Sequence, residues 1–117
     1  MRAAQIIEHI PVVIYWKEEG KFKKRYGRIE FFREVYRILK PKGIFVLSVP
    51  IEWPYWAQDP THVDVPFLNE SISYYCGEWG GNTPGDFAME SYHINFAFKR
   101  VESHKVESNL IATLEKP

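Results

Sequence analysis

The sequence predicts a single α/β domain spanning residues 1–117, on three observations. A helix with one apolar stripe ends in a proline-glycine turn. That turn feeds a strand apolar on both of its alternating faces, and two further alternating segments follow near the C-terminus. A helix returning by a tight turn into such a strand is the second half of a βαβ crossover. A chain of 117 residues suits one domain that buries roughly two thirds of its unfolded surface.

The elements follow in chain order. Ala3 to Ile10 is apolar with Gln5, Glu8 and His9 interspersed, and Pro11 disfavours helix at Ile10, so the segment reads as a short strand end or a single turn. Trp16 to Arg28 is polar, lysine-rich and punctuated by Gly20 and Gly27, as an exposed excursion would be. Phe22 and Tyr26 interleave its charges, a pattern that also fits a phosphate-facing patch. Ile29 to Leu39 is the helix: Phe32, Val35, Tyr36 and Leu39 share one face, while Arg33, Glu34 and Arg37 face away. Lys40 complements the helix dipole and Pro41 forbids continuation. Ile44 to Pro50 reads as a central strand covered on both sides. A Trp- and Pro-rich loop runs from Ile51 to Val65, and Asn69 is placed to cap a short helix from Glu70 to about Cys76. Gly77 to Gly85 reads as loop. His93 to Phe98 and Ser108 to Leu114 read as strands, with Ser103-His104 in the turn between them.

Composition excludes several classes. Fifteen basic residues balance fifteen acidic ones, which argues against both self-repelling disorder and a globally basic nucleic-acid binder. The lone Cys76 excludes an internal disulfide framework and a cysteine-based zinc site. The apolar runs Ile10–Trp16 and Ile44–Ile51 are too short to span a bilayer, so no membrane association and a cytoplasmic location are expected. Aromatic residues reach 16%, which implies either a heavily packed core or a surface that meets a partner.

Three segments carry a family resemblance: Ile7-Glu8-His9-Ile10; Phe32 through Gly43, with its Arg37-Ile38-Leu39-Lys40-Pro41-Lys42-Gly43 turn; and Asp59-Pro60-Thr61-His62-Val63. In these the sequence resembles the C-terminal half of a class I (Rossmann-like) S-adenosylmethionine-dependent methyltransferase, of the type 11-like, small-molecule kind. The resemblance implies a partial Rossmann-like methyltransferase sheet of about three to four strands with flanking helices. It places the first segment after the fourth strand of that fold and the third beyond the fifth strand. It also implies that the N-terminal, cofactor-binding half is absent. The glycine-rich turn that lets backbone approach a nucleoside is not found, because Gly77-Glu78-Trp79-Gly80-Gly81 neither follows a strand nor opens a helix.

The site residues follow from that resemblance. Glu8 and His9 would lie near the S-adenosylmethionine cofactor. Asp59 and His62 are the candidate catalytic pair, accepting a proton from the methyl acceptor. Trp53, Trp56, Thr61 and Asp64 are the candidate acceptor-binding residues, with Trp53, Tyr55 and Trp56 forming an aromatic wall. The same Asp59-to-His62 text reads as a turn whose carboxylate caps backbone amides, and the aromatic wall reads equally as a hydrophobic plug. His62-x-Asp64 with His93 or His104 imitates a metal site, but the resemblance accounts for His62 without one and no metal is expected.

A sheet starting at the fold's fourth strand leaves Ile44–Val49 with an open edge, which implies a homo-oligomer or a separate chain that completes the sheet. Two function classes follow. One is a methyltransferase-like protein, truncated or split, that supplies the acceptor side and needs a partner for cofactor binding, its small-molecule or macromolecular acceptor unspecified. The other is a non-catalytic protein or nucleic-acid interaction module that uses the aromatic surface or the Lys21–Arg28 patch.

Overall fold

The computed structural model describes residues 1–52, 57–62, 67–78, 92 and 94–117. Along the chain come strand β1 (Arg2–Ala4), a 3-10 turn (Ile7–His9), strands β2 (Val13–Glu18) and β3 (Lys21–Tyr26), helix α1 (Gly27–Ile38) and strand β4 (Ile44–Pro50). Helix α2 (Asn69–Ile72), a second 3-10 turn (Ser73–Tyr75) and strands β5 (Lys99–Val106) and β6 (Asn109–Glu115) follow. The fold is mixed α/β. Its main sheet has the spatial order β1-β4-β6-β5, and β2 and β3 form a separate two-stranded sheet.

β1 runs parallel to β4, with Ala3 opposite Leu47. A parallel pair needs a crossover, and here the crossover contains the β2–β3 hairpin and α1. β6 is antiparallel to both β4 and β5, and a bulge lies between Arg100 and Glu102. β4 is therefore central, not the edge the sequence led us to expect: Arg2–Ala4 is long enough to flank it on one side and β6 covers the other. Among the described residues the open edges belong to β1 and β5.

β4 buries one face completely, through Phe45, Leu47 and Val49, whereas Val46 and Ser48 on the other are half-buried and Ile44 is exposed. From the opposite side α1 contributes Ile29, Phe32 and Val35 to the same core. Phe32 is its hub: its ring stacks on Tyr75 at 4.0 Å and on Phe67 at 5.6 Å, and meets Phe45 and Phe98 edge-on. Much of the aromatic content is therefore core, not surface. No described helix is long and apolar enough to cross a membrane.

Three local expectations change. The lysine-rich excursion is an antiparallel hairpin, closed by Glu19 and Gly20, both at positive φ (52° and 77°) as a two-residue type I′ turn requires. Neither of its strands buries a residue fully, so the alternation that betrays half-buried strands is missing. Ile94, Phe96 and Phe98 do alternate inward, but outside any strand, and the ladder begins at Lys99. Ser103-His104 consequently lies within β5, and the turn is Glu107-Ser108, with Glu107 at φ 56°. Asn69 is the first residue of α2 instead of its cap. Its side-chain oxygen accepts from Arg100 Nη1 (2.6 Å) and Ser103 Oγ (2.9 Å), and Ser71 Oγ accepts from the Leu68 N–H.

Candidate functional site

Both site segments leave the carboxyl ends of adjacent parallel strands. The chain leaves β1 through Gln5, whose N–H donates to Ser48 O (2.9 Å), and forms the Ile7–His9 turn that carries Glu8 and His9. Beyond β4 it reaches Asp59-Pro60-Thr61-His62. There the Asp59 carboxylate organises the loop: Oδ1 accepts from the Thr61 N–H (2.8 Å) and Thr61 Oγ1 (2.6 Å), while the His62 N–H donates to Asp59 O (3.2 Å). This is an Asx turn, so the turn reading of the segment is what the backbone does. The Thr61 bonds also hold the Asp59 carboxyl below the usual carboxylate range. A carboxylate stabilised in its charged form is a weak proton acceptor.

The two segments meet through His9. Its Nδ1 lies 3.1 Å from Thr61 O and 3.0 Å from Thr61 Oγ1. The Thr61 hydroxyl spends its single hydrogen on Asp59, so both Thr61 oxygens act as acceptors toward His9. Nδ1 therefore carries the hydrogen, and the other ring nitrogen, Nε2, points toward Glu8 Oε1 at 3.6 Å. The His9 and His62 rings meet edge to face, centroids 4.8 Å apart, and His62 Nε2 sits 3.6 Å from Asp59 Oδ2. Glu8 is fully buried, and neither of its carboxylate oxygens has a hydrogen-bond partner.

The structure thus brings Glu8, His9, Asp59, Thr61 and His62 together across some fifty residues of sequence. Trp53, Tyr55, Trp56, Asp64 and His93 lie outside the described residues. His104 is far from this group in role: it pairs with Glu102 (3.1 Å) on β5, and among the described residues the cluster able to hold a metal ion is Glu8, His9 and His62.

Sequence reasoning missed Arg28. It was grouped with an exposed basic patch, yet it is buried on α1, and its Nε donates to Ile10 O (3.1 Å), fixing the chain just past the His9 turn. It also lines a cleft of about 230 Å³ with Tyr26, Phe67, Tyr74, Tyr75 and Tyr92. Only the helical register, which puts residue 28 one position before the inward-facing Ile29, hinted at this.

The described glycines that flank α1 leave no room for a nucleoside. Gly27 does follow a strand and open a helix, but a Cβ there would lie 2.2 Å from Pro11 O, so its space is already taken by backbone. Gly43 packs on Lys40 O in the same way, and Gly20 sits at the hairpin tip. Comparison with family models, with characterised proteins and with solved structures finds no match.

Proposed function

We propose that this chain is the acceptor-side part of an S-adenosylmethionine-dependent, Rossmann-like methyltransferase. The observation that carries the reading is the junction of the two resembling segments: Glu8-His9 and Asp59-Thr61-His62 emerge side by side from the carboxyl ends of parallel neighbours and are hydrogen-bonded to each other. Ligands of open α/β sheets bind outside those strand ends. In this reading β1 and β4 are the strands the resemblance counts as fourth and fifth, and the β5–β6 hairpin extends the sheet beyond them. The donor's nucleoside is held by residues outside these 117, in the same or another polypeptide; Gly27 and Gly43, the described glycines that flank α1, are crowded by backbone oxygens of their own neighbours. β1, with one flank unpaired, is the edge on which that part of the sheet would add.

The chain's own residues then act on the acceptor. His62 is the proton-accepting group and Asp59 orients it. Calorimetric titration of S-adenosylmethionine is the test. No binding to the 117-residue chain, with binding and turnover restored by the complementing segment, is expected. Micromolar binding to the chain alone would contradict the split grip. In the restored enzyme, turnover unchanged by His62→Ala would retire the proton-acceptor role.

A second reading rests on the hairpin. Lys21, Phe22, Lys23, Lys24 and Arg25 are all exposed on β3, and Phe22 is 79% accessible. Arg25 covers the Trp16 ring at 4.9 Å. Cations interleaved with aromatic faces suit a single-stranded nucleic acid in a non-catalytic binding module. Oligonucleotide binding that weakens steeply with salt, with no methyl transfer under any pairing, would favour it.

A further inference from the structure

We propose that Glu8, His9 and His62 form a binding site for a divalent first-row transition-metal ion. One ligand atom from each of the three lies within 4.8 Å of the others, and the residues come from two loops that meet only in the folded chain. The decisive feature is Glu8. A carboxylate removed from water normally accepts hydrogen bonds, yet among the described residues neither of its oxygens has a hydrogen-bond partner.

The bonding of His9 sharpens this. With Nδ1 committed as donor to Thr61, a neutral His9 presents its Nε2 lone pair to Glu8 Oε1 at 3.6 Å. Two lone pairs facing each other beside the buried Glu8 carboxylate repel unless a proton or a metal cation lies between them. Ligand atoms across a tetrahedral ion with bonds of about 2.1 Å are about 3.4 Å apart; the Glu8–His9 pair at 3.6 Å is close to that spacing, and binding draws in the third ligand atom, which lies within 4.8 Å. Asp59, Thr61 and the His9 Nδ1–H form the outer layer that fixes a metal-binding imidazole's tautomer. Two imidazole nitrogens and one carboxylate oxygen favour Zn²⁺, Co²⁺, Fe²⁺ or Mn²⁺ over Mg²⁺, and three protein ligands leave a position open. The inference does not rest on the methyltransferase reading, because its test contains no methyl donor.

The experiment titrates Co²⁺ into tag-free, chelator-treated protein, following its visible absorption and, in parallel, heat of binding. One equivalent bound per chain is expected, with Zn²⁺ displacing it and equimolar Mg²⁺ leaving the spectrum unchanged. Thr61→Val should weaken binding about 10-fold through the outer layer. Glu8→Gln and His62→Gln should weaken it more, and His104→Gln should leave it unchanged. Circular dichroism checks the fold of each variant, and His62→Gln, on a loop, keeps the test decisive if Glu8→Gln fails to fold. Absence of stoichiometric Co²⁺ binding, or binding undiminished in His62→Gln, overturns the site; displacement by equimolar Mg²⁺ overturns the class of ion.

Discussion

Thr61 is the residue on which the site's geometry turns. Its hydroxyl hydrogen goes to Asp59, which leaves its oxygens to accept from His9 and so selects the His9 tautomer. Thr61→Val removes the hydroxyl but keeps the backbone carbonyl that also accepts from Nδ1, so nitrogen-15 NMR should show the Nδ1-protonated tautomer of His9 less populated than in the parent. Thr61→Ser should keep the native one, and no change in the valine variant would refute the relay. Glu8 makes a second residue-scale prediction. A buried carboxylate without hydrogen bonds destabilises the metal-free fold, so in chelator Glu8→Gln should melt no lower than the parent chain. Excess Zn²⁺ at about 100 times its Kd should add about 2.7 kcal/mol to the parent alone. Cys76 shows the reverse case, where burial makes a group inert. Desolvation pushes its thiol up to about 12, with Glu78 adding to the effect. At pH 8 the native protein should react with iodoacetamide far more slowly than the denatured one. The candidate residues were legible as types and spacing, but the partner of each was not: nothing in local sequence tells that Thr61 faces His9.

At the scale of elements, two joints decide how the site is held. α1 begins against the loop that follows His9, where the Gly27 N–H donates to Val12 O and a side chain at 27 would collide with Pro11 O. Gly27→Ala therefore forces the loop or the helix start to shift, and chemical denaturation should show a loss of about 2 kcal/mol or more. The other joint ties α2 and the second 3-10 turn to β5. Arg100 grips Glu78 with two bonds of 2.7 Å and also donates to Asn69. Its guanidinium holds the Glu78 carboxyl below the ordinary value of 4.5. A depressed folded pKa means the ion pair stabilises above the unfolded value and is lost as pH falls through the folded one. The stability gap between Arg100→Gln and the parent should thus be full at neutral pH and narrow below about pH 4.5. A gap independent of pH would remove Glu78 from the account. Helix α1, β4 and β6 were legible because their apolar residues repeat with helix or strand period. The β2–β3 hairpin was not: its strands are almost wholly exposed, so no buried face imposes alternation.

Across the whole molecule, one aromatic cluster joins the sheet to everything laid over it. Phe32 of α1 touches rings from the α2 side, from β4 and from the segment leading to β5. Phe32→Ala should cost about 3–5 kcal/mol and loosen all three at once, giving a single cooperative loss of near-ultraviolet dichroism. Separate transitions for α2 and the sheet would show that the cluster does not couple them. By itself the sequence determined the α/β class, the single helix-turn-strand unit at the centre and the residue types available for chemistry, because periodicity and turn residues act over a few positions. Only the tertiary structure decided that Arg2–Ala4 shields β4, that Arg28 is buried and that Glu8, His9 and His62 converge. Those facts depend on which strand pairs with which, and pairing is set by burial summed over the whole sheet, a quantity no short stretch of chain contains.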